Sequence, residues 1–348
     1  MTNFKQYFRS HLKANAKTIL FIMAAVLIFT LFISSIGQEA VVYDIEAKEY
    51  ITEYYSMLDG PAIFLCILIF VIPVMEFSFF KKRINLDCAY SLPISRRSMG
   101  MVHYLTGLIT LLGTFTASYL LNFIIILTRG ADHYNLSPMI THYFLCVLYG
   151  SALYSVLVFV FNEANTKGDG IWFMILYTFV FVLIVDVVLS IVWNNGLIED
   201  INWHLYNDIP FAFTPWAPIV YITEYFEQCV EKEHFTTFPY FHANIYATIF
   251  WIALGIASTI GFVLSFGKRR MEKTEDISDS FFGFRTLIPI CAIFGMISFS
   301  SYIPYPLFWL IIEIIAIIGY AIYRRSLRFK KSEIIFLCSL LIFLLFSI

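Results

Sequence analysis

The sequence predicts an all-α integral membrane protein, on three observations. Hydrophobic residues make up 59% of its 348 positions and charged residues only 14%, where a soluble domain carries about a quarter charged. Apolar runs recur at 18–36, 62–80, 103–127, 140–161, 171–193, 246–266, 287–303, 306–323 and 334–348, most of them near the roughly 20 residues that a helix needs to cross the hydrocarbon. Basic and acidic loops alternate between these runs. In lipid each span must satisfy its own backbone polar groups, so the runs are helices.

The first 17 residues carry two stripes at helical spacing. Phe4, Tyr7, Phe8, His11 and Leu12 share one face, and Lys5, Arg9, Lys13 and Lys17 line another. That pattern predicts an amphipathic helix over 1–17, lying in the cytoplasmic interface with its apolar face down. No small-residue cleavage site follows the run 18–36, which reads as a retained span. The loop 37–61 holds six acids (Glu39, Asp44, Glu46, Glu49, Glu53 and Asp59) against one Lys. Lys81, Lys82, Arg83, Arg96 and Arg97 follow the second run; Lys268, Arg269, Arg270 and Lys273 follow the sixth; Arg324, Arg325, Arg328, Lys330 and Lys331 follow the eighth. Basic loops stay on the cytoplasmic side. The alternation places the N-terminus in the cytoplasm, and the C-terminus outside if 334–348 crosses.

The loop 194–245 has seven acids and one Lys and is rich in aromatics and Pro. Residues 219–230 fit a short amphipathic helix, and Trp203, Phe211, Phe213 and Trp216 suit the membrane interface. Short or re-entrant helices at the outer surface are expected there. Thr106, Thr110, Thr114, Ser118 and Asn122 form a polar stripe on the third span, and Ala253, Ala257 and Gly261 a small-residue stripe on the sixth. Both read as helix-packing seams. Asp186 and Glu313 lie within apolar runs, where an acid must face protein or water. They are candidates for a translocation path. Glu76 lies near the cytoplasmic end of the second span, within reach of Lys81 or the interface.

Enzymatic signatures are missing. The chain has no G-x-x-x-x-G-K-[ST] phosphate loop and no His-Glu-x-x-His pair, and no catalytic or metal-ligating set is predicted. Six cysteines show no C-x-x-C spacing and no disulfide framework. A net charge of −2 does not favour nucleic-acid binding.

The segment 81–107, "KKRINLDCAYSLPISRRSMGMVHYLTG", is the most informative. Pro93 forces Leu92 out of helical geometry, and Ser95 stands where it caps the next helix. Asp87 stands where it caps or pairs near the start of a short helix. Leu92 and Ile94 would be apolar, cytoplasmic and flanked by Arg96 and Arg97. On the residues alone the segment reads equally as a docking surface or as a basic turn. Its core, "LDCAYSLPISRRSM", resembles the cytoplasmic coupling loop of ABC-2 type transporter permeases of Gram-positive bacteria. The N-terminal helix, the Pro-containing outer loop with Thr214-Pro215 and the run "FGKRRMEKTEDISDS" (266–280) are similar to the same family. The resemblance covers roughly 1–285.

The resemblance implies an ABC-2 type (type V exporter-like) six-helix core over 18–266, with a coupling loop at 81–102, a basic linker at 267–286 and two or three extra C-terminal transmembrane helices over 287–348. It implies a bacterial plasma-membrane exporter of an amphipathic or hydrophobic substrate, a peptide among the options. The partners it implies are a cytoplasmic ABC ATPase, which carries the ATP and Mg, and a second permease in a homo- or heterodimer. Leu92, Pro93 and Ile94, with Ser91 and Ser95, would make the apolar coupling contact, and Asp87, Arg96 and Arg97 would orient it. Two other classes stay open: a non-transporting membrane anchor or immunity protein, and an intramembrane enzyme.

Overall fold

Nothing between Phe4 and Ile36 breaks a helix, since the first Gly is at 37 and no Pro precedes it. In the computed structural model this stretch is one uninterrupted helix, α1 (Phe4–Ile36). The described residues of the interfacial helix expected over 1–17 fall within this one helix. Residues 4–17 run into the first span without a break, with Tyr7, Phe8, His11 and Leu12 half-buried and Phe4 40% exposed. At about 1.5 Å per residue, α1 outruns the hydrocarbon.

The structure describes residues 4–36, 40–44, 49–53, 59–128, 136–194, 209–210, 212–230, 241–268, 271–302 and 306–347. After α1 come a two-stranded antiparallel hairpin, β1 (Ala40–Asp44) and β2 (Glu49–Glu53), paired from Ala40↔Glu53 to Asp44↔Glu49. Then follow α2 (Asp59–Phe77), a 3₁₀ turn (Ser78–Lys81), α3 (Arg83–Tyr90), α4 (Arg96–Thr128), α5 (Leu136–Glu163), α6 (Lys167–Asn194), α7 (Ala217–Val230), α8 (Phe241–Lys268), a 3₁₀ turn (Met271–Lys273), α9 (Phe284–Tyr302), α10 (Pro306–Arg324) and α11 (Lys331–Ser347). The hairpin was not foreseen. Its signal was present in "AVVYD" and "EYITE", where β-branched and aromatic residues favour strand.

Among the described residues, six helices are long and apolar enough to cross a membrane: Phe4–Ile33, Gly60–Lys81, Arg96–Thr128, Met139–Glu163, Lys167–Val192 and Tyr246–Lys268; Phe284–Ser298 is a shorter apolar helix. These six match the first six expected spans. Helix α5 is the most buried and α1 the least. α5 packs against α8, α2, α7 and α6, while α1 lies along α4, and α9, α10 and α11 form a relay attached through α6.

The α4 stripe is a packing seam. Thr106, Thr110, Thr114, Ser118 and Asn122 are all buried, and Ser118 Oγ lies 2.7 Å from Thr30 Oγ1 of α1. The α8 stripe packs only in part: Gly261 lies against Phe159 of α5, where a Cβ would stand 3.0 Å from the ring. Ala253 and Ala257 are exposed, and the buried face is Trp251, Gly255, Ser258, Phe262 and Phe266. A Cβ at Gly255 would stand 2.7 Å from Ala152 Cα and O, so α8 and α5 touch backbone to backbone there.

The expected helix near 219–230 forms as α7 but turns inward. Ile219 and Thr223 are buried, and Tyr149 Oη of α5 donates to Pro215 O at 2.8 Å. Phe213 is half-buried and Trp216 exposed, while Trp203 and Phe211 fall outside the described residues.

Candidate functional site

The α2–α4 connection leaves the bundle at the end that carries Lys81, Arg83, Arg96, Arg97 and Lys268. Lys82 is extended (φ −117°, ψ 129°) and ends the 3₁₀ turn, and α3 starts after it. Leu86 and Ala89, three residues apart, bury one face of α3. Its other face is open: Ile84 is 84% exposed, and Asp87 and Cys88 are exposed beside it. Leu92 is 41% exposed in the turn, Ser91 and Pro93 are exposed, and Ile94 is half-buried. Ser95 Oγ accepts the Ser98 N–H at 3.2 Å, the expected cap of α4. Arg96 stacks on the Tyr90 ring at 4.4 Å. Arg97 is exposed and lies over Gly267 of α8. Asp87 sits in the middle of α3, not at its start as a cap. Ile84, the most exposed apolar residue of the segment, was missed; "KKRINL" held it, three residues after the span.

This segment is braced from behind. The Lys81 ammonium is buried and donates to three carbonyls at the end of α5: Phe161 O at 2.7 Å, Asn162 O at 3.3 Å and Ala164 O at 2.5 Å. A helix C-terminus leaves such carbonyls unpaired and carries partial negative charge, which suits a cation. Lys81 therefore does not reach Glu76. Arg83 Nε donates to Thr274 O at 2.7 Å, and Nη2 to Asp276 Oδ1 at 2.8 Å.

Residues 271–283 join several elements. Ser278 Oγ accepts the Asn165 N–H at 2.8 Å and donates to Asp169 Oδ2 at 2.5 Å. Arg325 Nη1 donates to Glu275 O at 3.0 Å. Tyr323 Oη of α10 donates to Asp279 Oδ1 at 2.6 Å. That bond holds the Asp279 carboxyl below its ordinary range against slight burial, with Arg285, Lys330 and Arg324 helping. The basic end thus ties α3, the α5–α6 turn and the C-terminal helices through one segment.

A second polar site was not foreseen. Glu76 of α2 lies between His11 of α1 and His103 of α4: Glu76 Oε2 is 3.3 Å from His11 Nε2 and 3.4 Å from His103 Nδ1. His103 is buried, and its ring packs edge-on to Phe80 with centroids 4.6 Å apart. Gly107 backs the carboxylate stem; a Cβ there would lie 3.2 Å from Glu76 Cγ and 2.1 Å from Tyr154 Oη. Beside the cluster is a cavity of about 370 Å³ between α1, α2 and α4.

The two acids proposed for a path stand elsewhere. Asp186 of α6 is buried and accepts a hydrogen bond from Ser298 Oγ of α9. Glu313 is buried on α10. Comparison with family models, curated proteins and solved structures finds no match to this chain.

Proposed function

We propose that this chain is the membrane-spanning permease subunit of an ATP-driven exporter of the ABC-2 type. In this reading it lies in the bacterial plasma membrane with its basic end in the cytoplasm, paired with a second permease and with a cytoplasmic ABC ATPase that binds ATP and Mg. The observation that carries the reading is the braced segment 83–97. It presents Ile84 and Leu92 to solvent beside Asp87, Arg96 and Arg97, and it is anchored to the bundle by Lys81 and Arg83. Exposed apolar residues ringed by charge mark a protein-binding surface. A surface meant to pass on a push must also be stiff behind. Movement of α3 would reach α5 through Lys81 and residues 271–283 through Arg83, so a closing ATPase would shift two parts of the bundle together. The exported molecule, amphipathic or hydrophobic, would reach the helices from the lipid or the cytoplasmic face. Asp186 and Glu313 are the acids offered for its path.

The test is co-purification with an ABC ATPase encoded beside this chain, in detergent, for wild type and for Ile84→Asp/Leu92→Asp. Both positions are exposed, so the variant keeps the fold, as checked by elution profile and helical circular dichroism. Wild type is expected to retain the ATPase and the double variant to lose it. Retention by both, or by neither, would leave the segment a basic turn and favour a non-transporting anchor.

A further inference from the structure

We propose that His11, Glu76 and His103 form a binding site for a divalent transition metal of the Zn²⁺ class, which would clamp α1 against α2 and α4. Two ligands bound at 2.0–2.1 Å to a tetrahedral centre stand about 3.3 Å apart. The Glu76 Oε2 distances to His11 Nε2 and His103 Nδ1 are 3.3 and 3.4 Å, and all three ligand atoms lie within 4.8 Å of one another. Closing the remaining His–His edge needs only a ring adjustment.

The state of the histidines supplies an independent observation. His103 is 5% exposed, and its Nδ1 lies 3.4 Å from Glu76 Oε2 in a contact too poorly aligned to count as a good hydrogen bond. Among the described residues the other buried histidine, His142, is engaged at both ring nitrogens, with Nδ1 3.0 Å from Tyr119 Oη and Nε2 3.1 Å from Thr223 Oγ1. A buried ring nitrogen held only by a long, misaligned contact is under-satisfied; a cation between it and the carboxylate would satisfy both groups. Asn15 Nδ2 lies 3.0 Å from His11 Nε2, and the Asn15 side chain must turn aside when the metal binds.

The donor set defines the metal. Two imidazoles and a carboxylate suit Zn²⁺, Co²⁺ or Ni²⁺, whereas Mg²⁺ and Ca²⁺ demand oxygen ligands. Three protein ligands leave one position open, toward the adjoining cavity. Preorganisation is built in, since Phe80 fixes the His103 ring and Gly107 lets the Glu76 stem lie against α4.

The experiment uses the full chain, purified in detergent, freed of affinity tag and stripped with chelator, then titrated with Co²⁺ and Zn²⁺. Wild type is expected to bind one equivalent. Bound Co²⁺ should show the intense visible absorption of tetrahedral ligation, and Mg²⁺ should not compete. Glu76→Gln and His103→Gln should each weaken binding by at least about 100-fold, while His142→Asn leaves it unchanged. Zn²⁺ should raise the Tm of wild type and not of Glu76→Gln. Should the variants misfold, the wild-type spectrum still decides. Among the described residues, free cysteines stand at Cys66, Cys88, Cys146, Cys291 and Cys338, and a thiolate-to-cobalt charge-transfer band would place the metal on a cysteine and overturn the proposal. Failure of wild type to bind, or binding indifferent to changes in folded variants, would overturn it too, leaving the three residues a hydrogen-bonded contact.

Discussion

Replacing Lys81 with Met tests the brace behind α3. The ammonium is buried and faces three carbonyls, two of them at 2.7 and 2.5 Å and one at 3.3 Å. A hydrogen bond from a charged donor contributes about 1.5–3 kcal/mol net. Taking the low end for the two short contacts and little for the long one gives about 3 kcal/mol. Met is similar in length and avoids the desolvation of a buried charge, so the loss should not exceed that figure by much. About 3 kcal/mol corresponds to roughly a 100-fold shift in the unfolding equilibrium. The assay is reversible unfolding in mixed micelles, with detergent and sodium dodecyl sulfate titrated against helical signal. Hydrogen exchange over 83–90 adds the local readout, and protection there should fall in Lys81→Met. Arg in place of Lys should recover only part of the loss, because its planar fork cannot converge on three carbonyls. A change below about 1 kcal/mol, with α3 protection intact, would refute the reasoning, since it would mean that the ammonium is hydrated.

Two further predictions follow from the packing and the basic end. Gly255→Ala should cost about 1–3 kcal/mol in the same titration, because its Cβ meets the Ala152 backbone at 2.7 Å; Gly113→Ala, which meets nothing within 4 Å, is the matched control. The Tyr323–Asp279 bond should make stability acid-sensitive. A carboxyl whose folded pKa is depressed contributes fully above its unfolded value, near 3.9, and loses that contribution as pH falls through the lower folded value. Wild type should therefore lose stability relative to Tyr323→Phe as pH drops below about 4, and identical acid profiles for the two would show that the bond has no effect.

The parts of the fold that follow from local composition were legible. The first six spans, the α4 hydroxyl seam, the Ser95 cap and a helix near 219–230 each rest on residues a few positions apart. The places where reading failed depend on which neighbour a helix meets. The Ala253, Ala257 and Gly261 stripe is as regular as any, yet Ala253 and Ala257 are exposed, and α5 meets α8 at Gly255 and, through Phe159, at Gly261. Glu76 and Lys81 stand five apart and look like partners, but the 3₁₀ turn between them sends the ammonium to α5. His11 and Glu76 are 65 residues apart, on separate helices, so no sequence period could join them. The continuity of α1 was a different failure: its charged and apolar halves looked like two elements, and no residue between them ends a helix.

The Thr30–Ser118 contact bears on how the chain is made. Its two hydroxyls are 88 residues apart, and α1 is synthesised long before α4. At about 5–20 residues per second, Thr30 would wait roughly 4–18 s for Ser118 to leave the ribosome. During that interval the buried face of α1 must be shielded by lipid, by the insertion machinery or by its own backbone, and Thr30 Oγ1 already donates to Val26 O at 2.8 Å. A threonine that bonds back to its own helix carries a satisfied hydroxyl through the bilayer alone, then serves as acceptor when its neighbour arrives.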